Sequence, residues 1–175
     1  FVFIIKSIFD HPEMMNELLS KLQQGDAKAL ARTISLVENE ANGYEELLRA
    51  LPHNPGKPVI GITGPPGAGK STLVDSLIGL LVKNGKKIGV LCVDPSSPFN
   101  LGSLLGDRIR MSKWYDDPNV FIRSLATRGS LGGLHPKIIE ITELMKAAAF
   151  DLIIVETAGV GQSEVEVAGL AEITG

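Results

Sequence analysis

The sequence predicts an α/β domain with a mostly parallel, doubly wound sheet, preceded by an N-terminal helical segment. Three observations lead there. Apolar runs at 59–62, 88–93 and 152–155, with a further strand expected at 120–123, alternate with helical patterns. The first run passes through a glycine-rich turn into a helix. The second and third runs end on acids, Asp94 and Glu156, at the strand ends where an open parallel sheet binds its ligands.

Residues 12–51 read as helices. Leu18, Leu19 and Leu22 share one stretch, and Leu30, Ile34 and Val37 follow the i, i+4, i+7 spacing of the next. Asp26, after Gly25, is placed to cap the second helix, and a shorter helix over 44–51 follows the break at Asn42 and Gly43. The linker 52–56, with two prolines and a glycine, divides a helical segment, 1–56, from the α/β unit, 57–175. In that unit Leu73, Leu77, Leu80 and Leu81 mark the expected buried face of the helix after the glycine-rich turn. Strand 88–93 completes a parallel strand–helix–strand unit. Further strands are expected at 120–123 and 152–155, with a helix over 136–149 between them. The run Leu152, Ile153, Ile154, Val155 is apolar throughout, as a strand buried on both faces requires.

Gly64, Gly69, Lys70 and Ser71 satisfy GxxxxGK[S/T], the phosphate-binding loop pattern, with the strand before it and the helix after it that the pattern needs. A triphosphate requires several donors at close range with no side chains in the way. The stretch Gly64, Pro65, Pro66, Gly67, Ala68, Gly69, Lys70, Ser71 and Thr72 supplies them: the backbone curls so that successive N–H groups face phosphate oxygens, and the helix start adds its positive dipole end. Lys70 would place a point charge on the β and γ phosphates, and Ser71 would give its hydroxyl to Mg²⁺.

Three carboxylates are candidates for the rest of the site: Asp94 and Glu156 at strand ends, and Asp107 in the loop between the second and third strands. Each is of the type that orders Mg²⁺ or its water shell opposite a phosphate loop. Gly159, three residues after Glu156, is placed to offer its N–H to the γ-phosphate, a geometry in which loss of that phosphate frees the following segment. Among Arg108, Arg110, Arg123 and Arg128, Arg110 is the best candidate for transition-state charge. Gln162 lies two residues too far from Gly159 to match the water-positioning glutamine of small GTPases. Trp114 and Tyr115 read as packing or interface residues, and His11 and His53 as surface residues without spaced metal partners.

With 20 acidic and 17 basic residues the net charge is −3, which leaves no electrostatic footprint for nucleic acid or an anionic membrane. The length suits one domain that buries about 70% of its unfolded surface. The single cysteine, Cys92, lies in an apolar run and reads as a small buried hydrophobe. The opening apolar stretch is too short to span a bilayer and lacks signal-peptide features, so a cytoplasmic location is expected. With no initial methionine, and with the chain stopping soon after 156–159, the sequence is read as a fragment whose C-terminal part is missing.

The runs GITGPPGAGKSTLVDSL, VLCVDPSSPFNLGSLLGDRIRM, FIRSLATRGSLGGL and ETAGVGQSE resemble the GTPases associated with methylmalonyl-CoA mutase, the ArgK/MeaB type, whose human relative is the methylmalonic aciduria type A protein. The resemblance covers about Leu18 to Val167. It implies a P-loop NTPase fold, hydrolysis of GTP to GDP with Mg²⁺, and a cobalamin-dependent acyl-CoA mutase as partner, whose cofactor loading and protection the GTPase serves. It also implies a homodimer of the full-length protein. Carried onto matching positions, Lys70 and Ser71 serve phosphate and Mg²⁺, while Asp94, Asp107 and Glu156 serve Mg²⁺ and switch coupling. Leu101 departs from the glycine usual before Gly102, and the guanine-reading NKxD motif is expected beyond Gly175. Two other functions share the loop: a P-loop small-molecule kinase or ATPase, as in the older label of lysine/arginine/ornithine transport kinase, and a nucleotide-dependent interaction module with negligible turnover.

Overall fold

The structure, a computed structural model, describes residues 12–52, 56–94, 111–126, 135–157 and 173–174. The chain divides into two compact units: residues 1–56 with 139–149, and residues 57–138 with 150–175.

The first unit contains helices α1 (Pro12–Gln23), α2 (Ala27–Glu38) and α3 (Tyr44–Arg49). As the spacing predicts, Leu18, Leu19, Leu22, Leu30, Ile34 and Val37 are all buried. Asp26 caps α2: its Oδ1 accepts the Ala29 N–H at 2.7 Å, satisfying a donor that the first turn leaves unpaired. Gly25 closes α1 in the left-handed region at φ +85°, and a Cβ there would meet the Ala149 methyl at 3.2 Å. The unit also takes in most of α5 (Ile138–Ala147), a helix shorter at both ends than the 136–149 expected.

The second unit is built on a sheet of β1 (Val59–Ile62), β2 (Ile88–Asp94), β3 (Val120–Ala126), β4 (Leu152–Thr157) and β5 (Ile173–Thr174), in the order β3-β2-β4-β1-β5 with every pairing parallel. Strand β5 was not expected from the sequence. Helix α4 (Lys70–Lys83) connects β1 to β2, yet the two strands are not neighbours because β4 lies between them. That insertion makes β4 the central strand, and Ile153, Ile154 and Val155 are fully buried. It also sets Glu156 in register with Ile62 on one side and with Cys92 on the other.

Helix α4 corrects one expectation. Its buried residues are Val74 and Ile78, joined by the partly buried Leu77, Leu81 and Val82 in a core with Ile62, Ile88, Val90, Cys92, Met111 and Ile154. Leu73 and Leu80, expected on the buried face, are 57% and 59% exposed. At ~100° per residue they lie about a quarter turn or more away from the Val74–Ile78–Leu81 stripe. In a helix this rich in leucine and valine, leucine spacing alone does not single out the face.

The opposite flank of α4 is covered. The short 3₁₀ turn Ser112–Trp114 follows the buried Met111, and Trp114 Nε1–H donates to Asp75 Oδ1 at 2.7 Å. Lys113 Nζ donates to Asp75 Oδ2 at 2.8 Å and stands 4.8 Å from the Trp114 ring centroid, within cation–π range. The ring lies over Gly79, where a Cβ would be 3.5 Å from Cζ2. Trp114 is therefore a packing residue, as expected. Cys92 is buried, also as expected.

Two outcomes are expected, both read by chemical unfolding. Gly25→Ala destabilises the fold by about 1–2 kcal/mol, through the left-handed φ and the crowded Ala149 contact. For Asp75, the hydrogen bond from Lys113 lowers the carboxyl pKa against the opposing effect of burial, and the Trp114 N–H lowers it further. A depressed folded-state pKa gives stability that is present above the unfolded value and lost as pH falls through the folded one. The stability difference between wild type and Asp75→Asn therefore narrows below about pH 4.

Candidate nucleotide-binding site

The site forms where β1 ends. Gly64, Gly67 and Gly69 adopt φ of +144°, +81° and +88°, values that side chains disfavour, and they turn the chain from strand to helix within a few residues. The helical ladder opens with the Leu73 N–H donating to the Gly69 carbonyl at 3.0 Å. The N–H groups of Lys70, Ser71 and Thr72 thus belong to the unpaired first turn and face the loop's concavity, which suits an anion. Lys70 folds back over the loop, its ammonium donating to the carbonyls of Gly64 at 2.7 Å and Pro65 at 3.0 Å.

Two hydrogen bonds fasten this loop to the end of β4. Ser71 Oγ donates to Glu156 Oε1 at 2.7 Å, across 85 residues of sequence. Thr157 Oγ1 donates to Thr63 Oγ1 at 3.0 Å, just before the loop begins. Glu156 is 6% exposed and Thr157 is fully buried. Glu156 is thus a buried acid facing the loop, not a solvated strand end. Residue types alone did not single out Thr63 and Thr157. The register did carry a signal: pairing Ile62 with Glu156 sets the next residues, Thr63 and Thr157, opposite each other.

Of the residues predicted for the site, the structure brings together Gly64, Pro65, Pro66, Gly67, Ala68, Gly69, Lys70, Ser71 and Thr72 with Glu156. Asp94 closes β2 with its backbone opposite Ala126, at the same end of the sheet. Asp107, Arg110 and Gly159 lie outside the described residues.

A family model described as Methylmalonyl Co-A mutase-associated GTPase MeaB matches residues 30–174. The chain belongs to the MeaB family. A relative from Pyrococcus abyssi (strain GE5 / Orsay), whose name marks it as a candidate GTPase, is 49% identical over 160 residues, covering 91% of this chain and 49% of that protein. GTPase ArgK of Escherichia coli (strain K12) is 41% identical over 161 residues, covering 89% of this chain and 49% of its own length. The chain therefore spans about half the length of these curated relatives. Fused isobutyryl-CoA mutase of Geobacillus kaustophilus (strain HTA426) is 39% identical over 174 residues, 92% of this chain and 16% of that protein. The crystal structure of a LAO/AO transport system kinase superposes with a TM-score of 0.72 at 32% identity, covering 94% of this chain and 49% of that one. The fold of this MeaB-family chain is thus shared with that solved protein.

The MeaB-family site also passes a chemical test for Mg²⁺. That ion takes oxygen ligands, keeps several waters, and is held by one or two carboxylates together with substrate phosphates. Ser71 and Glu156 are an all-oxygen pair within bonding distance of each other beside the loop. Among the described residues no cluster of three or more His, Cys, Asp or Glu would hold a metal by itself. The Ser71–Glu156 oxygen pair thus fits an ion of this kind. Glu156→Gln keeps an acceptor for the Ser71 hydroxyl but removes the charge. Its expected effect is a Mg²⁺ requirement raised about tenfold or more, with metal-free nucleotide affinity nearly unchanged, as read by Mg²⁺ titration of a fluorescent GDP complex.

Proposed function

We propose that this chain carries the nucleotide-binding part of a GTP-hydrolysing protein that serves a cobalamin-dependent acyl-CoA mutase. In this proposal residues 57–175 hold the nucleotide machinery and residues 1–56 form its helical preface. The observation that carries the proposal is the joint placement of Lys70 on the loop carbonyls and Ser71 on the buried Glu156 carboxylate. A phosphate cradle with a charged lysine on one side and a metal-holding oxygen pair on the other is built for the β and γ phosphates. GTP as the nucleotide is supported by membership of the MeaB family and by the name of the 41% identical relative, GTPase ArgK. A mutase as partner is supported by the family description and by the fused isobutyryl-CoA mutase relative. The cofactor-loading and protective role, a homodimer of the full-length protein and a cytoplasmic location complete the proposal.

In hydrolysis, water attacks the γ-phosphorus, the bond to the β–γ bridging oxygen breaks, and GDP leaves with the electron pair. There is little covalent chemistry for side chains to do, so positioning and charge stabilisation supply the rate. The loop N–H groups orient the phosphates. Lys70 would exchange its carbonyl partners for phosphate oxygens, with Ser71 and Glu156 holding Mg²⁺. Bound Mg²⁺ supplies positive charge against that developing on the β and γ oxygens. Asp94 and Asp107 would complete the carboxylate set, Arg110 would add charge in the transition state, and the Gly159 N–H would sense the γ-phosphate.

The kinase name carried by the solved LAO/AO transport system protein favours one rival, phosphoryl transfer to a substrate hydroxyl. Phosphate release from GTP with no acceptor added separates the two. In the full-length protein, GTP is expected to displace labelled GDP at concentrations about 100-fold or more below those of ATP. Lys70→Ala should weaken GDP binding about 100-fold or more, through loss of charge-assisted bonds. Wild-type affinity in that variant would refute the site assignment.

A further inference from the structure

We propose that Thr63 and Thr157 are positioning residues for the nucleotide's Mg²⁺: their hydroxyl pair sets how far the Glu156 carboxylate stands from the phosphate loop. The inference rests on the GTPase reading above and adds two residues outside its binding set.

Three hydrogen bonds and three peptide links close a ring at the end of β1 and β4. Thr157 Oγ1 donates to Thr63 Oγ1 at 3.0 Å, Ser71 Oγ to Glu156 Oε1 at 2.7 Å, and Lys70 Nζ to the Gly64 carbonyl at 2.7 Å. Thr63 precedes Gly64, Lys70 precedes Ser71, and Glu156 precedes Thr157. The ladder between β1 and β4 ends at the Ile62–Glu156 pair, and one residue further on the two hydroxyls meet. Thr157 stays in the sheet, paired with Val93 of β2, while Gly64, at φ +144°, turns the other chain into the loop.

A ligand would treat the three hydrogen bonds differently. In the proposed bound state Lys70 and Ser71 leave their partners for phosphate and Mg²⁺, so two links of the ring open. The threonine link uses no group assigned to nucleotide or metal. It alone of the three stays closed, and it then keeps Glu156 beside the loop.

Its length is what a replacement cannot copy. The bonded hydroxyl oxygens stand 3.0 Å apart, whereas carbon atoms in contact stand about 3.5–4.0 Å apart. Two valines would keep the shapes but spread the two chains by about 0.5–1 Å. Mg²⁺ demands near-ideal octahedral geometry at about 2.0–2.1 Å, so a displacement of that size is felt at the metal. Folding stability responds differently. Replacing both partners of a buried hydrogen bond by apolar groups of the same shape is close to neutral, while removing one leaves the other unsatisfied. The paired substitution therefore separates position from stability.

The test uses the full-length protein, Mg²⁺ and a fluorescent GDP. Thr63→Val combined with Thr157→Val is expected to raise the Mg²⁺ requirement of the GDP complex about fivefold or more, with metal-free GDP affinity within about twofold of wild type and an unfolding midpoint near it. Thr63→Ser and Thr157→Ser keep the hydroxyls and should need no more Mg²⁺ than wild type, which makes them the conservative rescue. Added to Glu156→Gln, the valine pair should change the Mg²⁺ requirement by less than about twofold, because it acts through that carboxylate. Should the valine pair not fold, Thr63→Ala decides instead: it removes the acceptor at the half-buried end of the bond, leaves the fully buried Thr157 in place, and should shift the Mg²⁺ requirement the same way. A wild-type Mg²⁺ requirement in the deciding variant, or a shift that persists undiminished beside Glu156→Gln, overturns the proposal and leaves the GTPase reading standing. A wild type that binds no GDP overturns both.

Discussion

The site depends on a charge placed against dipoles. A phosphate loop gathers outward-facing N–H groups and a lysine at the end of one strand, and the 2.7 Å bond from Ser71 to Glu156 ties that positive cradle to a buried carboxylate on the next strand. Neither half is useful alone. Without Glu156, the Ser71 hydroxyl beside the loop would lose its charged partner. Without the loop, the acid would sit nearly sealed from water at the end of an apolar strand, which costs free energy unless a donor meets it. The order β3-β2-β4-β1-β5 brings them together, because inserting β4 between β1 and β2 puts residue 156 beside residue 62.

The same register explains the second bond. Once β1 and β4 pair as parallel neighbours through Ile62 and Glu156, the next residues on each strand are opposite by construction, and both are threonines. The loop is therefore fastened at entry, by Thr63, and at exit, by Ser71, to consecutive residues of one central strand. A strand with Ile153, Ile154 and Val155 fully buried is a rigid support. A cradle whose N–H groups must already point at phosphate oxygens needs such support, since preorganised dipoles do not have to be reoriented at the moment of reaction.

Much of this was legible in the sequence where the signal is local. The phosphate loop announces itself by residue type and spacing, Asp26 by its position before an amphipathic run, and four strands by largely apolar stretches. Strands β3 and β4 nevertheless extend beyond those stretches, to Ala126 and Thr157, because pairing with β2 continues past the polar residues Arg123 and Ser124 in β3 and into Glu156 and Thr157 in β4. What was not legible depends on tertiary partners. Leu73 and Leu80 look like core residues until the sheet selects Val74 and Ile78 instead. The Asp75–Trp114 bond spans 39 residues and has no periodic trace. Strand β5 is only two residues long, and β1 supplies its pairing partners.

Helix α4 shows how one element serves several demands at once. Its first turn must present unpaired N–H groups, so no side chain caps it, and Gly69 at its N-cap makes no side-chain hydrogen bond. An anionic cap would compete with the phosphate for those donors. With its backbone N–H groups left open and the Ser71 side chain bonded to Glu156 beside them, the helix is held further along on one face by the core residues Val74 and Ile78, and on one flank by Asp75 and Gly79 against Trp114. All of these anchors lie beyond the first turn. The division of labour along the helix, open backbone N–H groups with one side-chain tie at the start and packing anchorage after it, follows from the requirement that the first turn stay uncapped while its direction stays fixed.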